Sequence, residues 1–147
     1  MTKLHFQPIR GRALDMIGAI IHTPEAADAG GERSAVHLVV EELVANVTCH
    51  AYPAVAGGGR SSSEEYLDVE IVRHEDRVTL CFRDGGTPFN PLQAESPDTS
   101  LPLAQRRKGG LGIFLVKKEA DAIAYEYTGG ENVLTVSFYN QKIKNPK

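Results

Sequence analysis

Apolar positions recur along the chain with two different periods, and each change of period marks a new element. "KLHFQP" alternates and predicts a short first strand, while "GRALDMIGAIIH" returns apolar residues at helical spacing and predicts a helix that ends before Pro24. "TPEAADAGGE" reads as a turn. A second helix is predicted from about Ala35 to Tyr52, with Ser34 as its candidate cap and Pro53 as its stop, and the Gly/Ser-rich "AVAGGGRSSSEE" that follows is a loop. The period then becomes two. "YLDVEIV" sets Leu67, Val69 and Ile71 on one face against Asp68 and Glu70 on the other, and "RVTLCFRD" repeats the pattern with Val78, Leu80 and Phe82. The short polar link "RHEDR" makes the two an antiparallel hairpin. Residues 85 to 108 contain four prolines and read as one long loop, of a length that usually belongs to a functional lid or to a disordered segment. A third helix is predicted from about Leu111 to Ala122. Two final strands, "AIAYEYT" and "NVLTVSFY", flank a "GGE" turn.

Strands and helices therefore segregate rather than alternate. This predicts an α+β domain, a two-layer sandwich with helices on one face of a mixed, mostly antiparallel sheet. The 147 residues show no repeat and no dividing linker, so residues 1–147 are expected to form one domain. With 41% hydrophobic and 24% charged residues the class is soluble globular. A net charge of -3 argues against direct nucleic-acid binding, which needs a basic stripe. No apolar run reaches membrane-spanning length, and "MTKLHFQPIRGR" lacks the apolar stretch of a signal peptide, so a cytoplasmic location with no membrane contact is expected. Cys49 and Cys81 lie in apolar segments without metal-ligand spacing and are expected to be reduced core residues.

Three segments carry candidate chemistry. In "EELVANVTCH", at about 100° per residue, Val36, Val39, Val40, Leu43 and Val47 form an apolar arc, with His37, Glu41 and Thr48 opposite. Glu42 and Asn46 are four residues apart on one ridge at the edge of that arc, near Ala35, Leu38 and Cys49, and His50 continues the ridge. Polar groups beside apolar neighbours need partners. A hydrated Mg²⁺ bridging to phosphate would supply one, since this ion takes few protein oxygens; the alternative is a pair bonded to each other or to a loop. The second segment is "FRDGGTPFNP", where Asp84 ends a strand before Gly85 and Gly86. Asp84 could accept from an exocyclic amine such as that of adenine, with the glycines admitting a flat ring; alternatively this is an Asp-Gly turn. The third is "RKGGLGIFLV". Gly109, Gly110 and Gly112 can present N–H groups at the start of the third helix beside Arg106, Arg107 and Lys108, an arrangement suited to a polyphosphate or, alternatively, to a lid hinge. The spacing fits neither the Walker pattern nor the dinucleotide fingerprint.

Taken in order, these segments resemble the Bergerat-type ATP-binding fold of DNA gyrase, Hsp90, histidine kinases and MutL, and within it the bacterial anti-sigma-factor serine/threonine-protein kinases. "EELVANVTCHAY" is similar to the family's N-box, "DGGTPFNP" to its adenine box and "GGLGIFLVKKEAD" to its phosphate box, and the likeness runs from about Leu4 to Tyr139. The resemblance implies ATP and Mg²⁺ as cofactors and a lid at about 87–108. It implies Glu42 as general base, Asn46 as Mg²⁺ ligand, Asp84 at the adenine amine and Gly86 beside the ring. It further implies Lys108, Gly109, Gly110, Leu111 and Gly112 around the phosphates, with Arg107 or Lys108 close to the γ-phosphate. Thr135, taken to alternate inward with Val133, matches a hydroxyl that supports the adenine site, and His50 matches a packing histidine. The implied substrate is a serine of a STAS-domain antagonist, the implied partner a sigma factor, and a homodimer is compatible with the family. The alternatives are a non-catalytic nucleotide-dependent binding module and a stand-alone ATPase. Pro88 stands where the wider superfamily has the last glycine of D-x-G-x-G, a form that the kinase subfamily shares.

Overall fold

The computed structural model describes residues 1–8, 10–29, 35–48, 65–93 and 110–139. Five strands form one sheet: β1 (Thr2–Phe6), β2 (Leu67–Arg73), β3 (Arg77–Asp84), β4 (Ala122–Thr128) and β5 (Glu131–Tyr139). Their order across the sheet is β1-β2-β3-β5-β4, and all four pairings are antiparallel. The helices are α1 (Ala13–Ile21), α2 (Pro24–Asp28), α3 (Ala35–Asn46) and α4 (Gly110–Glu119). The predicted α+β sandwich is thus the observed one.

The period-two pattern fixes which sheet face is covered. Leu67, Val69 and Ile71 of β2 stand opposite Asp84, Phe82 and Leu80 of β3, and Leu80, Phe82 and Val78 stand opposite Val136, Leu134 and Phe138 of β5. All of these residues except Asp84 join one apolar cluster with Met16, Ile17, Ile20 and Ile21 of α1, Val36, Val39, Val40, Leu43 and Val44 of α3, and Val116 of α4. The apolar arc expected on the second helix is buried as drawn, with Val44 added to it. Removing such side chains from water is the main favourable term for the fold, at roughly 25 cal/mol per Å² of apolar surface.

Four expectations are corrected. "TPEAADAGGE" contains a helix as well as a turn: the Thr23 hydroxyl accepts from Ala26 N–H at 3.3 Å while donating to the Ile20 carbonyl at 2.8 Å, and Pro24 takes the first helical position. A Thr cap followed by proline is a helix start. Glu25 of α2 is buried and accepts from the Thr2 hydroxyl at 2.7 Å, which ties α2 to β1. The regular turns of α3 end at Asn46; Val47 and Thr48 continue in one wider turn, where the Thr48 hydroxyl donates back to the Ala45 carbonyl at 3.2 Å. Helix α4 ends at Glu119, because Asp121 N–H already donates to the Ser137 carbonyl and draws the chain into β4. Cys81 is half-buried and faces away from the helices, opposite Glu70 and Thr135, so it is not a core residue. Ser34, Cys49, His50 and the Gly/Ser-rich loop lie outside the described residues.

The β4–β5 hairpin closes on Gly129 and Gly130, whose φ values are 60° and 79°. Thr128 pairs with Glu131, so the connection is two residues long and needs the left-handed region at both. A Cβ at either glycine would meet nothing within 4 Å, so only backbone conformation demands glycine here. Gly130→Ala is therefore expected to lower stability by about 1 kcal/mol in urea unfolding, and Gly130→Asn by less, because asparagine tolerates this region.

Candidate functional site

Strand β3 carries Asp84 to the end of the sheet on the same side as the helices. The side chain is 7% exposed. A carboxylate at that depth is stable only with hydrogen-bond donors around it. Its Oδ1 accepts from Gly86 N–H at 3.0 Å and from Asn132 Nδ2 at 3.0 Å. Burial pushes the Asp84 pKa up, and the bonds from Asn132 and Gly86 work against that rise. Neither bond ends on Oδ2.

Gly85 and Gly86 follow directly. A Cβ on Gly85 would come within 3.0 Å of the Tyr66 ring and 3.2 Å of its hydroxyl, so a side chain here would press on that ring and make it give way by a few tenths of an ångström. The ring is held in place because the Tyr66 hydroxyl donates to Glu131 Oε2. The corner is thus two glycines beside a buried carboxylate on the helix-covered side of the sheet, with the Tyr66 ring on the opposite face, where it stacks on His5; a planar ring with an exocyclic donor can lie against the glycines on the Asp84 side.

Asn132 is the residue that sequence reasoning missed. It is 6% exposed and lies directly opposite Asp84 in the β3–β5 pairing. Besides Asp84, its Nδ2 donates to the Thr87 carbonyl at 3.0 Å and, at the limit of 3.5 Å, to the Gly86 carbonyl. Its Oδ1 accepts from Phe89 N–H at 3.0 Å and from the Tyr125 hydroxyl. Thr135 does not share this place. It pairs with Cys81 and Ala124, one residue out of phase with Leu134 and Val136, and so lies on the uncovered face. The expectation that Thr135 faces inward towards Asp84 is corrected: the residue of β5 opposite Asp84 is Asn132. The signal was present in the sequence: counting back by twos from Phe138, Val136 and Leu134 arrives at Asn132.

Glu42 and Asn46 lie on one ridge of α3, both half-buried. Burial is the first cause of a raised Glu42 pKa, and the negative charge of Glu41 is the second. A carboxylate of this kind is a stronger base than one in water. Helix α3 packs against α4, which opens with Gly110, Leu111 and Gly112 and seats Ile113 and Val116 in the interior. The first turn of a helix leaves backbone N–H groups without helical partners and attracts anions. Lys108, Gly109, Arg106 and Arg107 lie outside the described residues, as does most of the segment 87–108 expected to form a lid. Its first residues are anchored: Lys117 Nζ of α4 donates to the Leu92 carbonyl at 3.1 Å.

The donor set suits a nucleotide with Mg²⁺. Among the described residues there is no group of three or more His, Cys, Asp or Glu that could hold a metal by itself. One carboxamide and one carboxylate instead match an ion that keeps waters and phosphate oxygens as its other ligands. No helix among the described residues is long and apolar enough to cross a membrane.

An antiparallel sheet covered on one face by helices, with an Asp-Gly-Gly corner on an inner strand and a glycine-opened helix packed against the helix that carries Glu42 and Asn46, defines an ATPase-type α+β domain. Residues 5–138 match the histidine kinase-like ATPase domain, and the chain belongs to that family. Among curated relatives it is similar to the serine-protein kinase RsbW of Listeria monocytogenes, 27% identical over 71% of this chain and 65% of the relative. It is also similar to the serine/threonine-protein kinase BtrW of Bordetella bronchiseptica, 28% identical over 74% of this chain and 71% of the relative. A third is RsbW of Bacillus pumilus, 25% identical over 71% of this chain and 64% of the relative. The matched region thus spans slightly less than two thirds of the length of the RsbW relatives.

The raised pKa of Asp84 has a consequence for stability. The folded state holds its proton more tightly than the unfolded state, so between the ordinary carboxylate range and the raised value stability falls as pH rises, and the penalty is fully present above the raised value. Asp84→Asn keeps an acceptor for Asn132. It is expected to raise the melting temperature of the ligand-free protein at neutral pH, with the gain shrinking as pH falls towards the ordinary carboxylate range.

Proposed function

We propose that the chain is an ATP-dependent protein-serine kinase that acts as an anti-sigma-type regulator by partner switching with a STAS-domain antagonist. The observation that carries this reading is the Asp84 corner. A buried carboxylate with one oxygen committed to two donors, followed directly by two glycines, suits a planar base bearing an amine. The serine-protein kinase names of the similar proteins support the reaction class.

In this reading Asp84 accepts from the adenine amine and Gly86 lies against the ring. Asn46 holds Mg²⁺, and the N–H groups of Gly110, Leu111 and Gly112, with Gly109 and Lys108 before them, hold the phosphates. Bound Mg²⁺ supplies positive charge to the phosphoryl group in transfer, which is most of what this chemistry requires. Glu42 takes the proton of the target seryl hydroxyl as that oxygen bonds to the terminal phosphorus, and ADP departs with the electrons of the broken P–O bond. The raised pKa of Glu42 helps it to take that proton. Phosphorylation of the antagonist serine would release the kinase to hold the sigma factor, and a lid at 87–108 would make that surface depend on the nucleotide.

Glu42→Gln is expected to keep ATP–Mg²⁺ affinity within about threefold while cutting phosphoryl transfer by about 10²–10⁴-fold. The measurement is a single-turnover assay with labelled ATP and the antagonist, alongside calorimetric titration. Transfer at the wild-type rate in this variant would remove Glu42 from its role. Nucleotide binding by the wild type without transfer would make the chain a binding module, and phosphate release without any protein acceptor would make it an ATPase.

A further inference from the structure

One carboxamide holds both the base corner and the start of the loop that follows it. A primary carboxamide has two N–H donors and an oxygen with two lone pairs. In Asn132 the donors go to Asp84 Oδ1 and the Thr87 carbonyl, each at 3.0 Å, and the oxygen takes Phe89 N–H at 3.0 Å and the Tyr125 hydroxyl. The capacity of the group is filled. Its orientation is also fixed: turned over, it would set oxygen against a carboxylate and a carbonyl, and nitrogen against an N–H. Apolar burial does little to hold residues 87–89. Thr87 and Pro88 are exposed, and the Phe89 ring is 53% exposed.

We propose that Asn132 is a positioning residue that couples occupancy of the Asp84 corner to order in residues 86–89, so that a base engaging Asp84 tightens the stem of the lid. The inference rests on the nucleotide reading above. The physical reason is that both functions draw on one rigid planar group. Thr87 and Phe89 cannot move away without freeing the carboxamide that orients Asp84, and a donor arriving at Asp84 polarises the same chain of bonds. Coupling of this kind is reciprocal: if an ordered stem raises affinity for the base, the base orders the stem by the same factor. Asparagine has the two donors and two acceptors this requires, whereas a hydroxyl has a single donor and could serve only one of the two partners.

ADP is the probe, added to the full chain, with calorimetry for affinity and amide hydrogen exchange for residues 86–89. In the wild type ADP should slow exchange of the Gly86 and Phe89 amides by about tenfold or more. In Asn132→Ala these amides should exchange faster without ligand, ADP affinity should fall by about tenfold, and ADP should no longer protect residues 87–89, while the amides of Leu80 and Val136 stay protected. Asn132→Asp keeps the acceptor for Phe89 and Tyr125 but sets a second carboxylate against Asp84. Its affinity for ADP relative to wild type at the same pH should be lowest near about pH 8 and recover towards about pH 5, where the two carboxyl groups share a proton. A merely structural asparagine would give no such recovery. Unchanged affinity and unchanged stem exchange in Asn132→Ala would overturn the proposal. So would an Asn132→Asp defect that is the same at every pH, and this variant decides the matter if the alanine variant does not fold. Absence of ADP binding by the wild type would instead defeat the nucleotide reading itself, and the inference with it.

Discussion

A carboxylate buried at the end of an inner strand has to be compensated, and the Asp84–Asn132 contact across β3 and β5 does much of this. Burial favours the protonated acid and is the larger effect, whereas the donors from Asn132 and Gly86 favour the anion and hold the rise back. The remaining features of the corner follow from that choice. The strand ends here, where two glycines succeed the acid, and a side chain on the first of them would crowd Tyr66 on the opposite face of the sheet. The hairpin that delivers Asn132 must turn within two residues, and Gly129 and Gly130 permit it.

Around this corner the fold divides its labour. The apolar cluster beneath α1, α3 and α4 sets the positions of the helices to the tolerance of packed side chains. The helices then present polar groups at their margins: the Glu42–Asn46 ridge of α3, and the backbone of the first turn of α4. Metal and phosphate ligation on this plan needs few side chains, because backbone N–H groups and water supply most of the contacts.

Much of this was legible in the sequence, for identifiable reasons. The β2–β3 hairpin was plain because one face is buried and the other is not, which yields strict alternation at Leu67, Val69 and Ile71 and again at Val78, Leu80 and Phe82. The burial of α3 followed from its helical period. The error at Thr135 was one of parity. Val133 is itself buried, on the far side between Arg83 and Glu126, so hydrophobicity near the strand start pointed both ways, and the phase had to be taken from Leu134, Val136 and Phe138. Helix α2 escaped notice because Thr-Pro-Glu reads equally as a turn, and the cap that decides between them depends on a hydroxyl geometry that no period reveals. The end of α3 at Asn46 was likewise hidden, since the residues beyond it continue the helical pattern through a wider turn.

Tyr66 and Gly85 also bear on how such a domain can drift. The ring occupies the volume where a side chain at 85 would begin, and it is moored to Glu131 across the sheet. A side chain gained at 85 presses on that ring, and a ring pushed aside pulls on the acidic group beside the hairpin turn. Substitutions at these three positions, far apart in the chain, are therefore expected to be felt by one another.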